Sequence, residues 1–315
     1  MESVNQTMDG IINPQGGDEA YRKIMKAVFA DPEVQSFLRN HQDELDQESI
    51  NRGSSKLYEF VHDRDLVKQG KASVAPGYVP RLAISAGQID VVYVPTEQLR
   101  AQRAAAKQRS LVETLAMPKF IANATFENAF LEGENASEYR NVAFQRGMRF
   151  VHDYSPSSFM PGMYLTGEFG VGKTFLLGAI ANGLARERGI QSILIHFPTF
   201  AVSMKSSIGK NTTDLERDRI KQAPILMIDD IGADAMSAWV RDEVLGVILE
   251  YRMQMELPTF FSSNFTMVEL EKHLAVDVKG DQEPLKAKRI MERIRFLSRE
   301  VTVGGDNLRQ KLGKI

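Results

Sequence analysis

The chain has 315 residues, enough for roughly two domains that each bury a core. Hydrophobic residues make up 43% and charged residues 25%, and 39 Lys plus Arg nearly balance 41 Asp plus Glu, so no global charge points to nucleic acid. The absence of cysteine excludes disulfides and thiolate metal ligands and fits a reducing compartment. No apolar run reaches the length of a membrane span and the polar N-terminus has no signal-peptide core, so a cytoplasmic protein without membrane contact is expected.

Residues 1–18 are polar and read as a loose tail. Two helices are expected between Glu19 and Asn40. The second starts at Asp31-Pro32-Glu33, where a capping acid, Pro at the first helical position and an acid in the first turn coincide. Ser55–Leu66 reads as a third helix, with Leu57, Phe60 and Val61 on one face. The period then changes to two: Arg81–Ile84 and Gln88–Val94, separated by Ser-Ala-Gly, read as a hairpin. Glu97–Met117 is Ala-rich and basic (Arg100, Arg103, Lys107, Arg109). It reads as a solvated connecting helix, or as a contact for DNA or an acidic partner. A small α+β domain over 1–117 is the expectation.

From about residue 118 helices and strands alternate. Helices are expected over 138–154, 173–188, 199–206, 213–222 and 239–255, and strands at 163–166, 192–197, 225–229 and 259–262. This order argues for an α/β domain whose parallel sheet is covered on both faces. Ligand then belongs at the carboxyl ends of the strands.

One such end carries Gly167-Glu168-Phe169-Gly170-Val171-Gly172-Lys173-Thr174, followed by Phe175 and an apolar helix start. Strand, Gly-rich loop and helix form the context of a P-loop. Its backbone N–H groups and helix dipole suit a polyphosphate, with Lys173 reaching the β/γ-phosphates and the Thr174 hydroxyl on Mg²⁺. A second strand, Ile225–Ile228, ends in Asp229-Asp230. Asp229 is the expected Mg²⁺ carboxylate and Asp230 the base for an attacking water. An Asp at 230 reaches less far than a Glu, which suits slow turnover. Asn264, after the strand Phe260–Ser262, is placed to contact the water or γ-phosphate, to cap the next helix, or to do both. Late cations (Lys286, Lys288, Arg289, Arg293, Arg295, Arg299, Arg309) include Arg289 and Arg293 one turn apart, either of them a candidate finger for a neighbouring subunit's γ-phosphate.

P-loop, Asp-Asp strand, Ser-Ser-Asn strand and late arginines, in that order, resemble an AAA+ ATPase. Gly170-Val-Gly-Lys-Thr-Phe, Asp229-Asp-Ile-Gly-Ala233, Trp239-Val-Arg-Asp-Glu-Val244, Leu257–Asn264 and Arg289-Ile-Met-Glu-Arg-Ile294 narrow this. Together they resemble the bacterial primosomal helicase loaders of the DnaI type. The resemblance implies an AAA+ core at 118–315 with a five-stranded parallel sheet, ATP/ADP and Mg²⁺ as ligands, and ATPase activity. It implies a nucleotide loop at residues 167–175, Asn264 as sensor, Arg289 (then Arg293) as finger and Arg309 as a second sensor, with Thr125–Asn128 near the adenine. It further implies that the N-terminal domain grips the replicative hexameric DNA helicase and that copies self-associate through the ATPase domain. The stretch between Phe197 and Ile225, with Phe200, Lys205 and Lys210, would meet single-stranded DNA or be a plain helix pair. Some family members hold zinc through cysteines; without cysteine no zinc is expected here. The chain ends soon after Arg309, so no helical lid is expected and nucleotide retention falls to neighbouring subunits. The rival readings are a transposition helper ATPase, a P-loop small-molecule kinase and a non-hydrolysing ATP-sensing adaptor.

Overall fold

A computed structural model of the chain describes residues 19–71, 75–127, 137–206 and 213–308. The expectations for residues 1–18, Asn128, Lys210 and Arg309 lie outside these. The chain divides into two compact units, with the break between Ala105 and Ala106.

The first unit contains α1 (Glu19–Ala30), α2 (Pro32–Asn40), α3 (Gln47–Arg52), α4 (Ser54–Lys68) and the hairpin β1 (Tyr78–Ser85) and β2 (Gln88–Pro95). The start signal at Asp31 acts as expected: its Oδ1 accepts from the backbone N–H groups of Glu33 and Val34 at 2.9 and 3.3 Å. Arg64 from α4 grips the same carboxylate at both oxygens, 2.8 and 2.7 Å, tying α2 to α4. Behind the pair Val28, Phe29, Val34, Leu57 and Phe60 pack with Ile89 and Val91 of β2 into one core.

α5 (Glu97–Ser110) buries no residue and ends seven residues before the expected Met117. Val112-Glu-Thr-Leu115 instead forms β3, which pairs in parallel with β5. Four residues are too few for a strand period to register beside a long run of helix formers.

The second unit is built on β3 and on β4 (Gly162–Thr166), β5 (Ser192–His196), β6 (Ile225–Asp229), β7 (Thr259–Ser263) and β8 (Ser298–Thr302). Around them lie α6 (Glu138–Asp153), α7 (Lys173–Gly183), α8 (Phe197–Ser206), α9 (Thr213–Lys221), α10 (Val247–Gln254), α11 (Met267–Leu274) and α12 (Pro284–Leu297). The strands lie in the order β3-β5-β6-β7-β4-β8, all parallel. Among the described residues the sheet therefore has six strands where five were expected. The alternation of buried side chains splits the core in two. Tyr164, Ile195, Ile228 and Phe261 point to one face, while Leu165, Leu194, Met227 and Phe260 point to the other. Each fully buried side chain of this size contributes about 1.5–3 kcal/mol.

Arg252 on α10 is 0% exposed and has no carboxylate partner among the described residues. It donates to Thr259 Oγ1 at 2.8 Å and to the carbonyls of Lys221, Ala223 and Pro258 at 3.1, 2.7 and 2.7 Å. The guanidinium thus staples the end of α9, the entry to β6 and the start of β7. Burial without a counter-charge weakens its hold on its proton.

Candidate nucleotide site

β4, β5, β6 and β7 run side by side, so their last residues meet at one edge of the sheet. Thr166 leads into the Gly-rich loop, which turns through left-handed backbone at Gly170 (φ +79°) and Gly172 (φ +106°) before α7 begins at Lys173. Phe169, Gly170, Gly172, Lys173, Thr174, Phe175, Asp229, Asp230 and Asn264 all line one cavity. Nine of the expected site residues are thus brought together from three segments far apart in the chain.

Lys173 is 7% exposed. Its Nζ donates to the carbonyls of Gly167 and Glu168 at 2.7 and 2.8 Å and to Asn264 Oδ1 at 2.8 Å. Thr174 Oγ1 donates to the Asp229 carboxylate, 2.9 Å from one oxygen and 3.2 Å from the other. Hydroxyl and carboxylate converging beside a phosphate loop form a donor set that fits Mg²⁺. Ser262 Oγ reaches Asp229 Oδ1 at 2.5 Å. Burial raises the proton affinity of Asp229, and the Ser262 and Thr174 hydroxyls only partly offset it.

Asp230 has φ +60°, a left-handed conformation uncommon outside glycine. Ser262 Oγ accepts its backbone N–H at 2.9 Å. Its carboxylate faces Asn264 Nδ2 at 3.4 Å and His196 Nε2 at 3.9 Å. Asn264 leaves helix capping to Thr266, which forms a capping box with Glu269 at the start of α11. Of the two expected placements, Asn264 does not cap this helix, and it lines the cavity.

Other expected residues lie around the cavity. Val171 is buried in the core, and Gly167 and Glu168 supply the carbonyls that accept from Lys173. Pro118 and Phe120 line its apolar end with Phe144, Phe175 and Leu308, whereas Thr125 and Phe126 do not. Phe126 packs edge-on against the cavity-lining Phe144, from outside the lining itself. Phe200 is 3% exposed and packs near Phe197, so its ring cannot stack on a base. Arg293 is engaged within the chain, by the Gly246 carbonyl at 3.0 Å and the Glu250 carboxylate. Arg289, on the same face of α12, is exposed and makes no such bond among the described residues.

The sequence reading missed His196, Ser262, Arg140 and Leu308, all lining the cavity. His196 and Ser262 carried a legible signal, a polar residue ending or closing an apolar strand. Arg140 and Leu308 carried none, because a helix start and a chain end far from the loop meet only in three dimensions.

The parallel sheet, the P-loop and the acids at the end of β6 define a P-loop nucleotide-binding domain of the AAA+ class. The family model for the bacterial DnaA ATPase domain matches residues 121–296, and that for the primosomal protein DnaI N-terminus matches residues 1–93. The replicative helicase loader DnaI of Bacillus subtilis (strain 168) is 34% identical over 314 residues, covering 98% of this chain and 99% of its own. The chain belongs to the DnaI family of primosomal helicase loaders. A crystal structure of DnaI superposes with a TM-score of 0.56 at 43% identity, over 62% of this chain and 100% of that one. A candidate primosome component from Streptococcus pyogenes serotype M3 does so with a TM-score of 0.54 at 38% identity, over 65% and 98%. Among the described residues no helix is long and apolar enough to cross a membrane.

Proposed function

We propose that this protein loads the hexameric replicative DNA helicase onto single-stranded DNA and that ATP in the cavity above times the step. One observation carries the reading. A nucleotide site with P-loop, Thr174–Asp229 pair and Asn264 stands on the same chain as an N-terminal segment matching the DnaI N-terminus. The N-terminal match also favours a loader over a transposition helper, which has no such segment.

In this reading the loop N–H groups and Lys173 bind the polyphosphate, and Mg²⁺ held by Thr174 and Asp229 supplies charge neutralisation there. Asp230 accepts a proton from the attacking water, and Asn264 orients that water or the γ-phosphate. Arg289 is the residue offered to a neighbouring copy, since Arg293 is already committed to Glu250. As an Asp, residue 230 reaches less far toward water than a Glu would, so slow turnover gated by partners suits the site better than rapid hydrolysis. Single-stranded DNA would be met by cations such as Lys205 without help from Phe200, which makes binding strongly salt-dependent.

Native mass measurement of the protein with its cognate hexameric helicase, with and without ATP, tests this. The wild type should associate with the helicase in an ATP-sensitive stoichiometry. The Lys173→Ala variant should still associate, through the N-terminal unit, but lose the response to ATP. No association in any nucleotide state would sink the reading.

A further inference from the structure

After β8 the chain turns back across the phosphate loop. The Val303 N–H donates to the Thr166 carbonyl at 2.7 Å, and the Leu308 N–H to the Gly170 carbonyl at 3.0 Å. The approach is too close to admit a side chain at Gly167 or Gly170. A Cβ at Gly167 would lie 2.1 Å from the Val303 carbonyl oxygen, and one at Gly170 would lie 2.1 Å from Asn307 Oδ1. These glycines therefore serve the C-terminal segment as well as the phosphate turn.

Arg140 on α6 fastens the two together. It is 1% exposed, and its guanidinium donates through Nε to the Val171 carbonyl and through a terminal nitrogen to the Asp306 carbonyl, each at 3.1 Å. One buried side chain thus holds loop and segment at once. At the end of the segment Leu308, 9% exposed, lines the cavity together with the apolar Pro118, Phe120 and Phe144. These apolar side chains suit the faces of a nucleobase, while Lys173 and Asp229 suit phosphates.

We infer that Val303–Leu308 is a strap that retains nucleotide within a single chain, with Leu308 as its wall and Arg140 as the positioning residue that clamps it to the loop. The inference rests on the nucleotide reading of the cavity. It replaces the expectation that retention falls to neighbouring subunits. As a strap, the segment opposes release through the backbone bond that holds Leu308 to Gly170. The strap therefore governs dissociation more than association.

Stopped-flow measurement on the full chain with methylanthraniloyl-ADP and methylanthraniloyl-ATP tests it. Leu308→Ala should raise the dissociation rate about tenfold or more, the loss expected for one apolar wall. Association should stay within about twofold, and Leu308→Met should restore slow release. Gly305→Ala tests the clamp from outside the cavity, because its Cβ would lie 2.7 Å from Ser137 Cβ and 2.9 Å from an Arg140 terminal nitrogen at φ +111°. It too should speed release. Wild-type release rates in Leu308→Ala and Gly305→Ala would overturn the strap while leaving the nucleotide reading intact. Release that is fast in dilute wild type and slows only as copies assemble would return retention to the neighbour and overturn it as well. A wild type that binds neither analogue would overturn the nucleotide reading and the strap with it.

Discussion

Lys173 Nζ donates to Asn264 Oδ1 across 2.8 Å, joining the phosphate loop to the end of β7. The amide's other end faces Asp230 at 3.4 Å, so Asn264 stands between the phosphate-binding cation and the proposed base. In the proposed mechanism a single side chain thereby couples the binding half of the site to its hydrolytic half.

Replacing Asn264 by Ala should separate these halves. Steady-state ATP turnover should fall by about 10²-fold, the scale for losing one preorganised polar group at a reacting centre. Equilibrium nucleotide binding should change only a few-fold, since Lys173 keeps two carbonyl partners. A parallel loss of binding and turnover would mean that Asn264 merely supports the loop.

The two arginines of α12 should fail differently. Arg289→Ala should cut turnover by about 10³-fold at concentrations where copies assemble, as expected for a charge supplied in trans. Arg293→Ala should chiefly lower stability, by about 1 kcal/mol, through loss of its contacts to Glu250 and Gly246. Mixing Arg289→Ala with a Lys173→Ala copy should restore turnover, because the second copy supplies the missing guanidinium. Failure to complement would refute action in trans.

Arg252→Met keeps length and apolar bulk but removes every donor from a fully buried staple. Four acceptors lose their partner, and the expected cost is about 3 kcal/mol or more. Thermal unfolding followed by amide exchange at β6 and β7 would register it. Unchanged protection there would show that the staple carries no stability.

Acid should loosen the N-terminal unit at the Asp31–Arg64 pair. The Arg64 hydrogen bonds hold the Asp31 carboxyl below its ordinary value, against an opposing effect of burial. A depressed native value gives stability that is present above the unfolded value near 4 and is lost as pH falls through the native one. Amide protection in α2 and α4 of the full chain should therefore drop as pH is lowered from about 5 to 3. Arg64→Met should be weaker at neutral pH and show a smaller drop. An identical pH response in both proteins would rule the pair out as its source.

Much of the site was legible because its chemistry is local in sequence. Gly167 through Thr174 are consecutive, and the acids at 229 and 230 end an apolar run, so spacing and periodicity were enough to name them. β3 and β8 escaped the same reading because short edge strands, partly exposed, lack a continuous apolar signal. Phe200 looked available for stacking until its burial removed it.

The sequence by itself determined the P-loop, the two acids, the alternation that builds a parallel sheet and the exclusion of thiolate chemistry. Tertiary structure alone decided that Arg293 is spent on Glu250 while Arg289 stays exposed, that Asn264 serves the cavity, and that residues 303–308 lie across the loop. The reason is physical. Hydrophobic period and loop chemistry act between near neighbours in the chain, whereas ion pairing, burial and the close approach of two backbones depend on segments separated by scores of residues.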